Sequence, residues 1–300
     1  MLKSLLQNQR EEIVFVKQNI KAGNPLLTDQ ALQEETIMVL DPNDTEVSFI
    51  AQDQLLIDLE QEKYLIVFDL DNTLAALGKP MEPETLRYLQ ELSAAGHYLA
   101  IASGKPIYYM MGFCRQANLS KMWLIGENGV QTVFGVDIPP EYSLNAKVKA
   151  KSKQALVDLK KNLIEKFGDK IWFQPNEVEV TPFFADMRTR VEIEQFIEEI
   201  REELVQAEIT VFPHGDCFDF LPSDVDKGKA VTNLIEWLEI NPLRTIAVGD
   251  TWNDQPLFEA CHYAIAINFP EAIKSNGNLI HVSNIEQALI QIQKILLKNL

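Results

Sequence analysis

Three times along this chain a short, largely apolar run stops on a hydroxyl or an acid. Tyr64-Leu65-Ile66-Val67-Phe68 precedes Asp69, Tyr98-Leu99-Ala100-Ile101-Ala102 precedes Ser103, and Thr245-Ile246-Ala247-Val248 precedes Gly249-Asp250. Runs that are apolar throughout, rather than at alternate positions, fit strands buried on both faces, as in a parallel sheet covered by helices. The intervening segments supply those helices. Pro83 to Ala95 reads as one, with Glu82 and Glu84 at its amino end and Gly96 stopping it. After another helix, Met122-Trp123-Leu124-Ile125 reads as a strand, stopped by Gly126-Glu127-Asn128-Gly129. Further on, Lys227–Leu238, Pro256–Cys261 and Ile285–Leu297 read as helices, and Tyr263–Ile267 as a strand. The expected fold class is α/β, a doubly wound parallel sheet.

The middle third breaks this rhythm. Helical stretches Val148–Phe167 and Val191–Val205 alternate with β-rich pieces Ile171–Phe173, Val178–Thr181, Thr210–Phe212 and Phe218–Leu221. That pattern describes an α+β module inserted between two halves of the parallel domain. The expected organisation is an amino-terminal extension over 1–62, a core from 63–130 and 224–300, and an inserted module over 131–223. Two domains also suit a length of 300 residues. Within the extension, Leu2 to Ile20 has a helical stripe, and Thr36–Leu40 and Glu46–Ile50 suggest two strands around a turn. The extension packs on the core, forms a homodimer contact or limits access to the cleft; the sequence leaves these three open.

Charge narrows the partners. Lys and Arg number 27 against 44 Asp and Glu, a formal net charge of −17. Such a chain is repelled by phosphate backbones and anionic headgroups, so neither nucleic acid nor a membrane is an expected partner. Cys114, Cys217 and Cys261 are widely spaced and form no CxxC pair, which suggests reduced thiols in a cytoplasmic protein. The amino terminus becomes charged too early for a secretory signal, and no apolar run reaches the roughly 20 residues of a membrane span.

The strand ends carry the chemistry. In an open parallel sheet, ligands bind outside the carboxyl ends of the strands. Asp69, Asp71, Asp250 and Asp254 would converge there and repel one another without a cation. Oxygen donors with no His or Cys cluster favour Mg²⁺, and a carboxylate-held, partly hydrated Mg²⁺ generally acts on phosphate. Either acidic motif alone also reads as a turn or helix cap. Their joint occurrence after apolar strands favours the functional reading.

Four motifs together resemble the haloacid dehalogenase superfamily of phosphohydrolases: DLDNT at Asp69–Thr73, Ser103 in IASGK, Lys227 in DKGKAV, and GDTWND at Gly249–Asp254. The likeness spans roughly Tyr64 to Leu300. An α/β insert after the third strand resembles the C2B caps of Cof-like sugar phosphatases, sucrose-phosphate phosphatases, mannosyl-3-phosphoglycerate phosphatases and phosphomannomutases. Glu127-Asn128-Gly129 matches a turn of that group. The resemblance implies a nucleophilic Asp69, a general acid–base Asp71 and a charge-neutralising Lys227. It also implies a Mg²⁺ site from Asp69, the Asp71 main-chain carbonyl and Asp250, with Asp254 beside them. Ser103, Gly104, Asn128 and Asn253 would meet the phosphoryl group or substrate. Lys105 is the rival cation to Lys227, and Thr73 reads equally as a helix cap.

A phosphate dianion repels a carboxylate until charge is neutralised; Asp69 then attacks phosphorus and divides one difficult displacement into two. The expected activity is Mg²⁺-dependent hydrolysis of a small sugar or polyol phosphate. The alternatives are a phosphomannomutase-type transfer and a non-catalytic binding protein on the same scaffold. Arg188, Arg190, His214 and Asp216 are polar cap residues that could face the cleft, each read first as a surface residue.

Overall fold

In a computed structural model of the chain, residues 36–40, 47–51, 63–269, 275 and 277–298 are described. Strands β1 (Thr36–Leu40) and β2 (Val47–Ala51) form an antiparallel pair, as the two β-rich runs of the sequence suggest. The expected helix over Leu2–Ile20 lies outside the described residues. The core then runs β3 (Leu65–Phe68), α1 (Pro83–Ala94), β4 (Tyr98–Ala102), α2 (Ile107–Gln116), β5 (Trp123–Gly126) and β6 (Gln131–Phe134). The insert contributes α3 (Ala150–Phe167), β7 (Ile171–Phe173), β8 (Pro182–Phe184), α4 (Met187–Glu199), α5 (Arg201–Gln206), β9 (Ile209–Pro213) and β10 (Phe218–Pro222). The chain returns through α6 (Lys227–Trp237), β11 (Thr245–Gly249), α7 (Gln255–Ala260), β12 (Tyr263–Ile267), β13 (Asn278–Val282) and α8 (Ile285–Lys298).

Seven strands form the core sheet in the order β13-β12-β11-β3-β4-β5-β6, parallel except for β6. The continuous apolar runs are explained by burial on both faces. Ile66 and Phe68 pack with Leu89, Leu92 and Ile292 on one side of the sheet, while Leu65 and Val67 pack with Leu234 and Phe258 on the other. Burying each such side chain contributes about 1.5–3 kcal/mol relative to exposure. The insert has its own core around Leu156, Leu163, Phe196, Phe218 and Phe220. Two short antiparallel pairs, β7 with β8 and β9 with β10, complete it.

The structure departs from the sequence reading in four places. Gln131–Phe134, assigned above to the insert, pairs antiparallel with β5 and forms an edge of the core sheet. The reversal is made by Glu127 and Asn128, which adopt left-handed φ values of 50° and 51°. Val178–Thr181 is not a strand: the N–H groups of Val178 and Glu179 donate to the Glu127 carboxylate, leaving only a bridge between Val180 and Phe220. The expected helix at Val191–Val205 is two helices broken at Ile200, and the first starts earlier because Asp186 caps it by accepting from the Thr189 N–H. Strand β13, absent from the sequence reading, extends the parallel sheet beyond β12.

Candidate active site

β3 lies between β4 and β11, so the chain winds outward from it in both directions and the crevice opens at this point of the sheet. The Asp69 N–H donates to the Val248 carbonyl at 2.8 Å, holding the ends of β3 and β11 together. Carboxylate oxygens of Asp69, Asp250 and Asp254 consequently lie within 4.8 Å of one another. Lys227 enters from the first turn of α6, which Asp226 caps by accepting from the Lys229 N–H. Its buried ammonium donates at 2.6 Å to Asp69 Oδ1 and at 2.6 Å to Asp254 Oδ1.

Asp254 is fully engaged. Its Oδ2 accepts from the backbone N–H groups of Asp250 and Thr251 at 3.0 and 3.1 Å. A Cβ at Gly249 would stand 2.5 Å from that oxygen, so only glycine admits this arrangement. Asp254 therefore anchors the loop and Lys227. Thr73, open between cap and catalytic readings in the sequence, donates its hydroxyl to Asp250 Oδ1 at 3.1 Å.

The electrostatics follow from burial. Asp69 is pushed well above the usual carboxylate range by desolvation, opposed by Lys227 and reinforced by Asp254 and Asp250. Asp250 is raised to about 6 by burial and the Asp254 charge. Burial alone would lower Lys227, but the charges of Asp254 and Asp69 outweigh it and hold the ammonium above its usual value. Among the described residues this is a compact set of hard oxygen donors with a surplus of negative charge, and it fits a divalent Mg²⁺.

Around this cluster the core supplies a polar rim. Asp71, two residues beyond Asp69, is partly exposed and lies 3.4 Å from the Lys105 ammonium. Lys105 thus serves Asp71 rather than replacing Lys227. Between the acids, Asn72 adopts φ 61°, a left-handed conformation that asparagine tolerates well, and its side chain accepts from the Leu77 N–H. Ser103 is buried at the end of β4; its hydroxyl oxygen accepts from the Lys105 N–H at 3.2 Å, leaving its proton for a ligand.

The insert closes the other side. A chamber of about 140 Å³ lies between Asp69, Asp71, Ser103, Gly104, Lys105 and Asn253 from the core and Gln174, Thr181, Phe183, His214, Asp216 and Asp219 from the cap. Of the four cap candidates, His214 and Asp216 line it. Arg190 instead donates to the His214 carbonyl at 2.9 Å, and Arg188 is exposed.

Asn128 is placed differently from expectation. Its amide nitrogen donates to Glu179 Oε1 at 3.1 Å and Asp219 Oδ2 at 3.0 Å, so it serves the cap network, outside the chamber lining. Within that network, burial and the neighbouring Asp219 charge raise the Glu179 carboxyl well above normal. Burial also pushes Asp219 upward, but the hydrogen bond and charge of His214, 3.0 Å away, outweigh it and hold Asp219 below its usual value.

Two links between core and cap escaped the sequence reading. Gln174 donates to the Gly104 carbonyl at 2.7 Å. Buried Glu127 accepts from the backbone N–H groups of Glu177, Val178 and Glu179 at 2.7, 2.8 and 2.9 Å. An acid followed by asparagine and glycine after an apolar strand was the available signal, and it resembled a simple turn.

A family model described as sucrose-6F-phosphate phosphohydrolase matches residues 62–288. The chain is 26% identical over 220 residues to phosphoglycolate phosphatase of Methanopyrus kandleri, covering 72% of this chain and 89% of the relative. It is 23% identical over 202 residues to phosphoglycolate phosphatase of Haloarcula marismortui, covering 67% and 83%. The C-terminal domain of C. albicans trehalose-6-phosphate phosphatase superposes with a TM-score of 0.62 at 18% identity, covering 82% and 96%, and shares the fold.

Proposed function

The chain belongs to the sucrose-6F-phosphate phosphohydrolase family and is a Mg²⁺-dependent phosphomonoester hydrolase of the haloacid dehalogenase superfamily with a C2-type cap, and we propose that it hydrolyses a small sugar or polyol phosphate through an aspartyl-phosphate on Asp69. The observation that carries this reading is the convergence of Asp69, Asp250, Asp254 and Lys227 from distant parts of the chain onto one point outside the sheet. Asp69 and Asp250 would hold Mg²⁺ with the Asp71 carbonyl, while Asp254 steadies the site through Lys227 and the 250–251 backbone. When bound, Mg²⁺ offsets the charge that otherwise keeps a phosphate dianion away from a carboxylate.

In this reading Asp69 Oδ attacks phosphorus, and the bond to the leaving oxygen breaks. Asp71, held by Lys105, gives that oxygen its proton and later takes one from the water that cleaves the aspartyl-phosphate. Lys227 keeps Asp69 in place, and the Ser103 hydroxyl donates to the transferring group. Asn253, on the chamber wall, faces the same group. The hydrogen-bonding side chains of Gln174, Thr181, His214, Asp216 and Asp219 suit a hydroxyl-bearing leaving group. Three buried free cysteines suit a cytoplasmic setting.

The test is phosphate release from a panel of sugar and polyol phosphates with Mg²⁺, for the wild type and Asp69→Asn. Release from several sugar phosphates, abolished in a folded Asp69→Asn variant, is expected. Retained turnover in that variant, conversion of mannose 1-phosphate to 6-phosphate without release, or activity confined to phosphoproteins would overturn the reading.

A further inference from the structure

At 140 Å³ the polar chamber is smaller than the roughly 300–1,000 Å³ of ordinary small-molecule pockets. A second recess of about 470 Å³ adjoins it, sharing Asp71, Leu77, Lys105, Gln174 and Phe183 as a common wall. Because Asp71 serves the leaving oxygen, this recess receives whatever the leaving group carries beyond its phosphorylated end. Its remaining lining is aromatic or apolar, chiefly Tyr108 and Tyr109 from the core and Trp172 from the cap.

These rings are unusually open to water for their size: Trp172 is 63% exposed, Tyr108 61% and Tyr109 49%. Trp172 contacts the Phe183 ring at 5.6 Å and leaves much of its surface uncovered. Two of the polar side chains in the recess, Gln174 and Lys105, are already engaged. The Gln174 amide donates to Gly104 O and Asn176 Oδ1, and the Lys105 ammonium sits beside Asp71 and over the Phe183 ring. A hydroxyl-dense ring entering here would give up water over mostly aromatic and apolar walls that return few hydrogen bonds, which is unfavourable. A flat ring with few polar groups meets no such penalty and gains stacking contact on the aromatic walls.

We propose that this recess is a substrate subsite for a flat, uncharged aromatic ring attached to the phosphorylated sugar or polyol, with Trp172 as its main stacking surface. The inference rests on the phosphomonoesterase reading and adds the class of leaving group.

Two substrate pairs test it in the full-length protein with Mg²⁺. Ribitol 5-phosphate and riboflavin 5′-phosphate present the same primary ester and differ by an aromatic ring. Fructose 6-phosphate and sucrose 6F-phosphate differ by a sugar ring. The flavin ester is expected to exceed the ribitol ester in kcat/KM by about tenfold or more, the scale of one good stacking contact. Trp172→Ala and, separately, Tyr108→Ala should remove that gain and leave the ribitol ester unchanged. No flavin gain, a gain insensitive to both variants, or a sucrose gain that Trp172→Ala removes would overturn the subsite. If all four esters are inert, the phosphomonoesterase reading fails by itself. Riboflavin without phosphate then still reports on the recess: quenching of its fluorescence on binding, lost in Trp172→Ala, is expected, and no quenching refutes the proposal.

Discussion

Lys227→Met isolates the electrostatic logic of the site. Methionine nearly matches the length of the lysine stem but removes the ammonium that lies 2.6 Å from both Asp69 and Asp254. Lys227 is 1% exposed, so water cannot replace that charge without rearrangement. Removing one partner of a buried ion pair typically costs 3–5 kcal/mol. At about 2 °C per kcal/mol for a chain of this size, thermal melting in EDTA at pH 8 should fall by roughly 6–10 °C. The deficit should shrink at pH 5. Asp69, already raised by burial, then takes up a proton in the folded state, so the repulsion present at high pH is relieved as pH falls. Mg²⁺ should raise the melting temperature of the variant more than that of the wild type, because it becomes the sole countercharge. Turnover should fall at least 100-fold. Equal melting of both proteins in EDTA at pH 8, or equal stabilisation by Mg²⁺, would refute the reasoning.

Three other outcomes are expected. Asp250 is raised to about 6, so Mg²⁺ affinity by isothermal titration should weaken as pH drops through 6, when protons compete for its carboxylate; affinity flat from pH 7 to pH 5 would contradict its place in the site. His97 is lowered to about 4 by burial and the Arg244 charge, and its Nδ1 accepts from the Tyr64 N–H. The unfolded chain therefore takes up a proton near 6.5 that the folded chain refuses until about 4, so stability should decline by roughly 3 kcal/mol across that window as pH falls; in His97→Gln, denaturant midpoints should lose that portion of the slope. Glu127→Gln sets an amide NH₂ against at least one of three backbone donors, a cost of about 1–3 kcal/mol; KM for a sugar phosphate should rise while Mg²⁺ affinity stays unchanged, and an unaltered KM would dismiss Glu127 as a link between cap and core.

Much of the core was legible because its physics is local. A strand covered on both faces must be largely apolar, and Leu65–Phe68 and Ile246–Gly249 obey that rule up to the point where acids begin. The acids at those ends were readable as a group because each follows such a strand. What stayed hidden depends on partners far away in sequence. Glu179 and Asp219 look like ordinary surface acids until folding buries them side by side under Asn128. Val178–Thr181 has the composition of a strand, yet its amides are claimed by Glu127, some fifty positions earlier. Asn128 itself was expected at the substrate because it follows a strand end, whereas the left-handed turn at 127–128 carries its amide into the cap.

Thr73 and Asp250 touch although 177 residues separate them along the chain. The whole insert must be spanned before β11 can settle against β3, and closing so long a loop carries an entropic penalty that local helices and hairpins avoid. Until that pairing forms, β3 has an open flank, ready to pair with the wrong neighbour. Catalytic competence in this architecture is thus a signature of finished folding: a nascent chain halted before Thr245 would carry its nucleophile without the means to use it.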